Sequence, residues 1–201
     1  MSQTIGIMDY GYAGNIFNIK KSIEGIDAGL KVTLIRDKKS LDVTDKIILP
    51  GVGAYGDAME AVEPIKDELT DAIRKKPTLG ICLGMQILSE KGYEFGESEG
   101  LGIFEGEVMR LPVKGSVPHL GWAYLDIIRP SRILEGITEK DSFYFMHSYE
   151  LINYKDVAGL SIYCEHRFIS VVENGNIFGV QFHPEKSRQS GLKVMKNFID
   201  V

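Results

Sequence analysis

The sequence predicts an α/β fold, a doubly wound and mostly parallel sheet with an added, partly antiparallel region. In the first half, short apolar runs alternate with stretches of helical spacing, the pattern of strands buried on both faces by crossover helices. From residue 103 onward the runs are strand-like and separated only by short turns. No repeat, low-complexity tract or linker interrupts the 201 residues, so residues 1–201 are expected to form one domain.

Taken in order, Thr4–Met8, Lys31–Ile35, Lys46–Leu49 and Pro77–Cys82 read as buried strands: each is short, mostly apolar or β-branched, and bounded by turn residues. Between them, Asn15–Glu24, Gly56–Lys75 and Gly84–Glu90 carry helical spacing. In the second of these, Met59, Val62, Ile65, Leu69 and Ile73 step by three and four, which lays one apolar stripe on a sheet. Strand-like segments follow at Ile103–Leu111, Leu125–Ile128, Ser142–Phe145, Ala158–Tyr163, Ile169–Glu173 and Ile177–Phe182, with Asn174-Gly175 marking a hairpin turn. Gly191–Val201 closes the pattern as an amphipathic helix.

The composition, 44% hydrophobic and 25% charged, is that of an ordinary globular protein. A net charge of −5 without a lysine or arginine run gives no footprint for nucleic acid or an anionic membrane. The opening MSQTIGIMDYG lacks a basic leader, and no segment approaches the roughly 18 apolar residues of a membrane span. A cytoplasmic protein is expected. Its two cysteines, Cys82 and Cys164, are too few for a disulfide framework. No histidine or cysteine cluster has metal spacing, so neither metal nor cofactor is expected.

Residues 47–58 read IILPGVGAYGDA, which contains a literal G-x-G-x-x-G. As a dinucleotide fingerprint it fails. The loop follows the third predicted strand instead of the first, and the acid expected at the end of the next strand is Cys82. That cysteine stands in TLGICLGMQ, where a strand meets a helix, flanked by glycines that allow the tight backbone of a nucleophile elbow. A helix N-terminus there favours the thiolate. A base is available in GVQFHPEKS. If that segment is extended, His183 and Glu185 point to one side, the carboxylate holding one ring nitrogen while the other faces the thiol. A buried structural cysteine and a surface His-Pro-Glu turn are the alternative readings of the same residues.

Together, GICLGMQ (80–86), FHPE (182–185) and PGVG (50–53) resemble the class I glutamine amidotransferases. PGVGAYGDAM (50–59), PHLGW (118–122), YFMHSYE (144–150) and GVQFHPEKS (179–187) narrow the likeness to the glutaminase subunits that serve histidine biosynthesis. The resemblance spans nearly the whole chain and implies a flavodoxin-like core. It implies glutamine hydrolysis by a Cys82–His183–Glu185 triad. It also implies an oxyanion hole at Gly51, Val52 and Leu83, with Gly51 reaching positive φ so that its peptide can turn, and glutamine contacts at Gly53, Gln86, Ser148 and Tyr149. The implied partner is a (β/α)₈ cyclase subunit that receives the ammonia and makes imidazole glycerol phosphate and an aminoimidazole carboxamide nucleotide. Trp122, Tyr144 and Lys186 would face it. His119 and His147 read as structural, and His166 as solvated.

Two features depart from the family pattern. Ala123 stands where Gly-Trp-Asn is usual, and DYGYAGNIFNI has one extra residue between Gly11 and Gly14. Both lie in regions the resemblance assigns to the partner. They leave open a paralogous glutaminase feeding another synthase, for instance one that amidinates a sugar for surface polysaccharide, alongside a stand-alone cysteine hydrolase or a binding module.

Overall fold

A computed structural model describes residues 3–11 and 15–201. Its elements, in chain order, begin with β1 (Thr4–Met8), α1 (Ile16–Ile26), β2 (Lys31–Ile35), α2 (Lys38–Asp42), β3 (Lys46–Leu49) and α3 (Tyr55–Val62). Next come α4 (Lys66–Lys75), β4 (Thr78–Ile81), α5 (Leu83–Gln86), β5 (Lys91–Gly92), β6 (Ser98–Glu99), β7 (Glu107–Arg110), β8 (His119–Tyr124) and β9 (Asp126–Ile127). The chain continues through β10 (Ser142–His147), β11 (Tyr149–Ile152), β12 (Val157–Tyr163), β13 (His166–Asn174), β14 (Ile177–Val180) and α6 (Arg188–Asp200).

The main sheet has eight strands in the order β2-β1-β3-β4-β14-β13-β12-β9. The strands from β2 to β14 are mutually parallel, and the remainder run antiparallel. Alternation along the strands splits the core in two. Ile5, Ile7 and Ile48 point to the face covered by Ile19 and Ile23 of α1 and Val194 and Phe198 of α6. Ile47 and Leu49 point to the opposite face, under Ala58 and Val62 of α3 and Leu69 and Ile73 of α4. The doubly wound arrangement is therefore present, and each of these side chains is fully buried.

The helix expected over Gly56–Lys75 is two helices. Pro64 lies in a 3₁₀ turn, Glu63–Ile65, between them, where proline lacks the N–H and crowds the preceding turn. The apolar stripe survives the break, with Met59, Val62, Ile65, Leu69 and Ile73 all buried. The hairpin near Asn174-Gly175 turns one residue later than expected. Asn174 pairs with Ile177, leaving Gly175 (φ 58°) and Asn176 as the two turn residues.

Two smaller sheets form the added region: β10 with β8, and the set β11-β7-β5-β6. Ser148 separates β10 from β11, so the chain passes there from one sheet to the other. That break lies close to the C-terminal end of β4, where the Cys82 sulphur is 3.7 Å from the Met146 carbonyl oxygen. The extra residue between Gly11 and Gly14 lies outside the described residues.

Candidate active site

Cys82 occupies the junction between β4 and α5 at φ 50°, ψ −107°, a backbone conformation strained for any residue with a side chain. The elbow is thus carried by Cys82 itself. The flanking glycines serve close approach instead of positive φ: a Cβ on Gly84 would lie 1.9 Å from the carbonyl oxygen of Leu49, so only glycine lets the turn pass beneath β3. Gly51 is a similar case. Its φ is not positive in this structure, whereas that of Gly53 is, at 110°. What Gly51 supplies is room, since a Cβ there would sit 2.2 Å from the Ile81 carbonyl oxygen.

The helix beyond the cysteine is shorter than expected, spanning only Leu83–Gln86. Its dipole is correspondingly small. Leu83, as its first residue, still has an N–H without an intrahelical acceptor. The main electrostatic partner of the sulphur is His183. Burial would drive this imidazole toward neutrality, but the adjacent Cys82 sulphur and then the Glu185 carboxylate outweigh it and push the pKa up to about 10.

His183 and Glu185 meet by a different route from the extended segment anticipated. His183 is extended (φ −101°, ψ 96°), but Pro184–Lys186 form a 3₁₀ turn that swings Glu185 back beneath the ring. Nδ1 of His183 lies 2.8 Å from Oε1 of Glu185, with both side chains fully buried. A carboxylate only accepts, so Nδ1 carries the hydrogen and Nε2 is left for proton exchange. Among the described residues Nε2 has no other hydrogen-bond partner. The turn is anchored from β10: the His183 N–H donates to the Tyr144 carbonyl (2.9 Å), and the Tyr144 N–H donates to Ser187 Oγ (2.9 Å).

A cleft of about 270 Å³ opens in front of the sulphur, lined by Gly51, Val52, Gly53, Cys82, Leu83, Gln86, Ser148 and Tyr149. These are all the expected oxyanion and glutamine-contact positions, gathered around the cysteine; His183 and Glu185 lie behind it. Gln86 donates through Nε2 to the Tyr149 carbonyl (2.9 Å) and to Gln181 Oε1 (3.2 Å), which leaves only its own oxygen for a ligand. Trp122, Tyr144 and Lys186 assemble apart from the cleft lining. Trp122 and Tyr144 face each other across the β8–β10 pair with rings 5.7 Å apart, and Lys186 Nζ lies 6.0 Å from the Tyr144 ring.

Several residues at the site escaped the sequence reading. Glu94 lines the cleft and accepts the N–H of Tyr55 (2.8 Å), and burial raises its carboxyl above the usual range. Asn15, almost fully buried, donates to Glu185 Oε1 from the start of α1. Gln181 touches the sulphur. Its signal was a polar residue inside the otherwise apolar run GVQF; Asn15 and Glu94 gave none. His119 and His147 form a buried pair, Nδ1 of the first 3.2 Å from Nε2 of the second. Burial lowers their pKa values to about 4 and about 3. His166 is partly exposed and also pairs with the buried Glu150 at 2.7 Å, at the hairpin end of β13.

An elbow cysteine beside a buried histidine–carboxylate pair, at the C-terminal edge of a parallel sheet, is an arrangement suited to nucleophilic chemistry by a thiol. The family model described as glutamine amidotransferase class-I matches residues 7–201, and the chain belongs to that family and is a glutamine-hydrolysing enzyme. Within it, the chain is 43% identical over 199 residues to the imidazole glycerol phosphate synthase subunit HisH of Aquifex aeolicus, covering 96% of this chain and 94% of that protein. It is 42% identical to the protein of the same name from Methanocaldococcus jannaschii, covering 98% and 99%. Among solved structures, PurLQS from Thermotoga maritima shares the fold at a TM-score of 0.76 and 22% identity, covering 100% of this chain and 99% of that one. A glutamine amidotransferase from the same organism does so at a TM-score of 0.62 and 18% identity, covering 100% and 82%. No helix among the described residues is long and apolar enough to cross a membrane.

Proposed function

We propose that residues 1–201 act as one cytoplasmic glutaminase domain, the amidotransferase subunit of imidazole glycerol phosphate synthase, with Cys82, His183 and Glu185 as its triad. The observation that carries this reading is Cys82 held at positive φ beside a fully buried His183–Glu185 pair.

The Cys82 thiolate attacks the side-chain amide carbon of glutamine, and the carbonyl electrons move onto oxygen. The N–H groups of Val52 and Leu83 stabilise that oxyanion once the Gly51 peptide has turned, a contribution of about 3 to 4 kcal/mol to the barrier. Protonated His183 gives its Nε2 proton to the departing nitrogen, which leaves as ammonia and a γ-glutamyl thioester. His183 then takes a proton from water as it attacks the thioester, and glutamate departs with regeneration of the thiol pair. Glu185 fixes the imidazole tautomer throughout. Glu94 and the Gln86 oxygen supply acceptors for the α-ammonium of glutamine, while Gly53, Ser148 and Tyr149 form the opposing wall.

The ammonia passes to a (β/α)₈ cyclase subunit docked on the Trp122–Tyr144–Lys186 surface. Trp122 is 43% exposed, an unusual cost for an indole that aromatic-rich interfaces recover. The test is glutamate release from glutamine by the purified chain, alone and with a cyclase subunit plus its nucleotide substrate, with Cys82→Ala as control. Strong stimulation by the loaded cyclase, abolished in Cys82→Ala, is the expected result. Activity indifferent to the cyclase would move the chain to another synthase or to a stand-alone hydrolase.

A further inference from the structure

The sulphur of Cys82 has a neighbour that no motif singled out. Gln181 is fully buried just past β14. A buried amide is costly unless its polar atoms are filled, and here they are: Nε2 donates to Cys82 Sγ at 3.4 Å, and Oε1 accepts from Gln86 Nε2 at 3.2 Å. Gln86 gives its other hydrogen to the carbonyl of Tyr149, 2.9 Å away. The direction of this chain is determined. A backbone carbonyl only accepts, which fixes the Gln86 amide; a fixed Gln86 donor requires the oxygen of Gln181 opposite it, and the Gln181 NH₂ group is left facing the sulphur.

Besides His183, Sγ also meets the Met146 carbonyl at 3.7 Å. That contact suits the thiol, whose S–H donates to the carbonyl. A thiolate has nothing to donate, and the oxygen becomes a neighbour of like sign. The Gln181 contact behaves oppositely, because an N–H donor binds an anion more strongly than a neutral sulphur.

We propose that Gln181 is a catalytic residue of this site, its amide hydrogen-bonding the Cys82 sulphur and favouring the thiolate, with Gln86 tying that preference to the position of Tyr149 in the glutamine-binding wall. The proposal rests on Cys82 being the nucleophile. Displacing the Tyr149 carbonyl frees Gln86 and lets the Gln181 amide turn over, which presents oxygen to the sulphur and disfavours its ionisation.

The test is the rate of Cys82 alkylation by iodoacetamide across a pH series, measured by mass spectrometry on the full chain carrying Cys164→Ser, since Cys164 is exposed. His183 with its partner Glu185, His147, Glu94 and Tyr149 are titratable groups around the sulphur, and all remain in every variant. Gln181→Met keeps the shape without the donor, and the pH of half-maximal rate should move up by about one to two units. Gln181→Glu should move it at least as far. Gln86→Met, which leaves residue 181 intact, should move it by less. Profiles that superimpose on the parent in folded variants, with only the melting temperature lowered, would reduce Gln181 to a packing residue and overturn the proposal. Should neither Gln181 variant fold, an unmoved profile in Gln86→Met overturns it. A parent chain whose Cys82 reacts no faster than a free cysteine contradicts the nucleophile assignment instead.

Discussion

The parallel half of the main sheet and the added antiparallel region meet at one cleft but are built on different principles. Strands β1, β3 and β4 are short runs buried on both faces, and each is followed in the chain by a helix. Strand β10 alternates buried with partly buried residues and β8 alternates buried or partly buried with exposed ones, and the two form a two-stranded sheet of their own. The first half supplies Cys82, the proposed nucleophile, at the C-terminal end of β4. The second supplies the opposing wall, through the break at Ser148, and the aromatic surface proposed for the partner. The proposed chemistry is thus placed on strands buried on both faces, and the proposed recognition on a pair with one face left open.

The sharpest test of this division is Cys82→Ala. It should reduce glutaminase turnover by about a thousandfold or more while the chain still folds, since it removes a single sulphur from the margin of the core. Loss of fold in this variant would mean that the elbow is structural. Gly84→Ala should do the reverse: with its Cβ 1.9 Å from the Leu49 carbonyl oxygen, it should destabilise the chain by roughly 3 kcal/mol or more, read from denaturant unfolding. On the recognition side, Trp122→Ala removes the ring that packs against Tyr144 and lies 4.8 Å from the Arg188 guanidinium. It should weaken partner binding by about 10- to 30-fold in calorimetric titration and leave the isolated chain's alkylation rate unaffected.

The smallest effect separates the halves by pH. His119 and His147, in the antiparallel region, have folded-state pKa values near 4 and 3 against an ordinary 6.5. The unfolded chain therefore takes up protons first, and their contribution to stability is intact above pH 6.5 and lost as pH falls toward 4. His183 has the opposite sign. Its pKa of about 10 means that its contribution is full below 6.5 and lost as pH rises toward 10. Melting temperature should fall on both sides of neutrality, with His119→Gln blunting the acid limb and Glu185→Gln the alkaline one. An unchanged acid limb in His119→Gln would remove the histidine pair as its cause.

The same contrast explains what was legible. Thr4–Met8 and Lys46–Leu49 match their strands to the residue, because a doubly buried strand is a mostly apolar run. Lys31–Ile35 matches too, although it is the partly buried edge strand, because its valine, threonine, leucine and isoleucine favour extended backbone. His119–Tyr124 and Tyr149–Ile152 were not recognised as strands; in the first, Leu120, Trp122 and Tyr124 on the exposed face blur the alternation, and the second is too short to show one. Cys82, His183 and Glu185, the proposed triad, stand in motifs that the sequence shows plainly. Glu94 and Asn15 were not legible, because each reaches the site only through tertiary contacts, Glu94 with the start of α3 and Asn15 with Glu185.

The register of β14 has a temporal meaning. It pairs Val180 with Ile81 on one side and with Val171 on the other, joining Gln181 to a cysteine 99 positions earlier in the chain. During synthesis, Cys82 emerges long before the strand that brings its histidine. Until that strand inserts between β4 and β13, the thiol has neither base nor buried counter-charge, so a half-made chain carries an inert cysteine in place of an unguarded hydrolase.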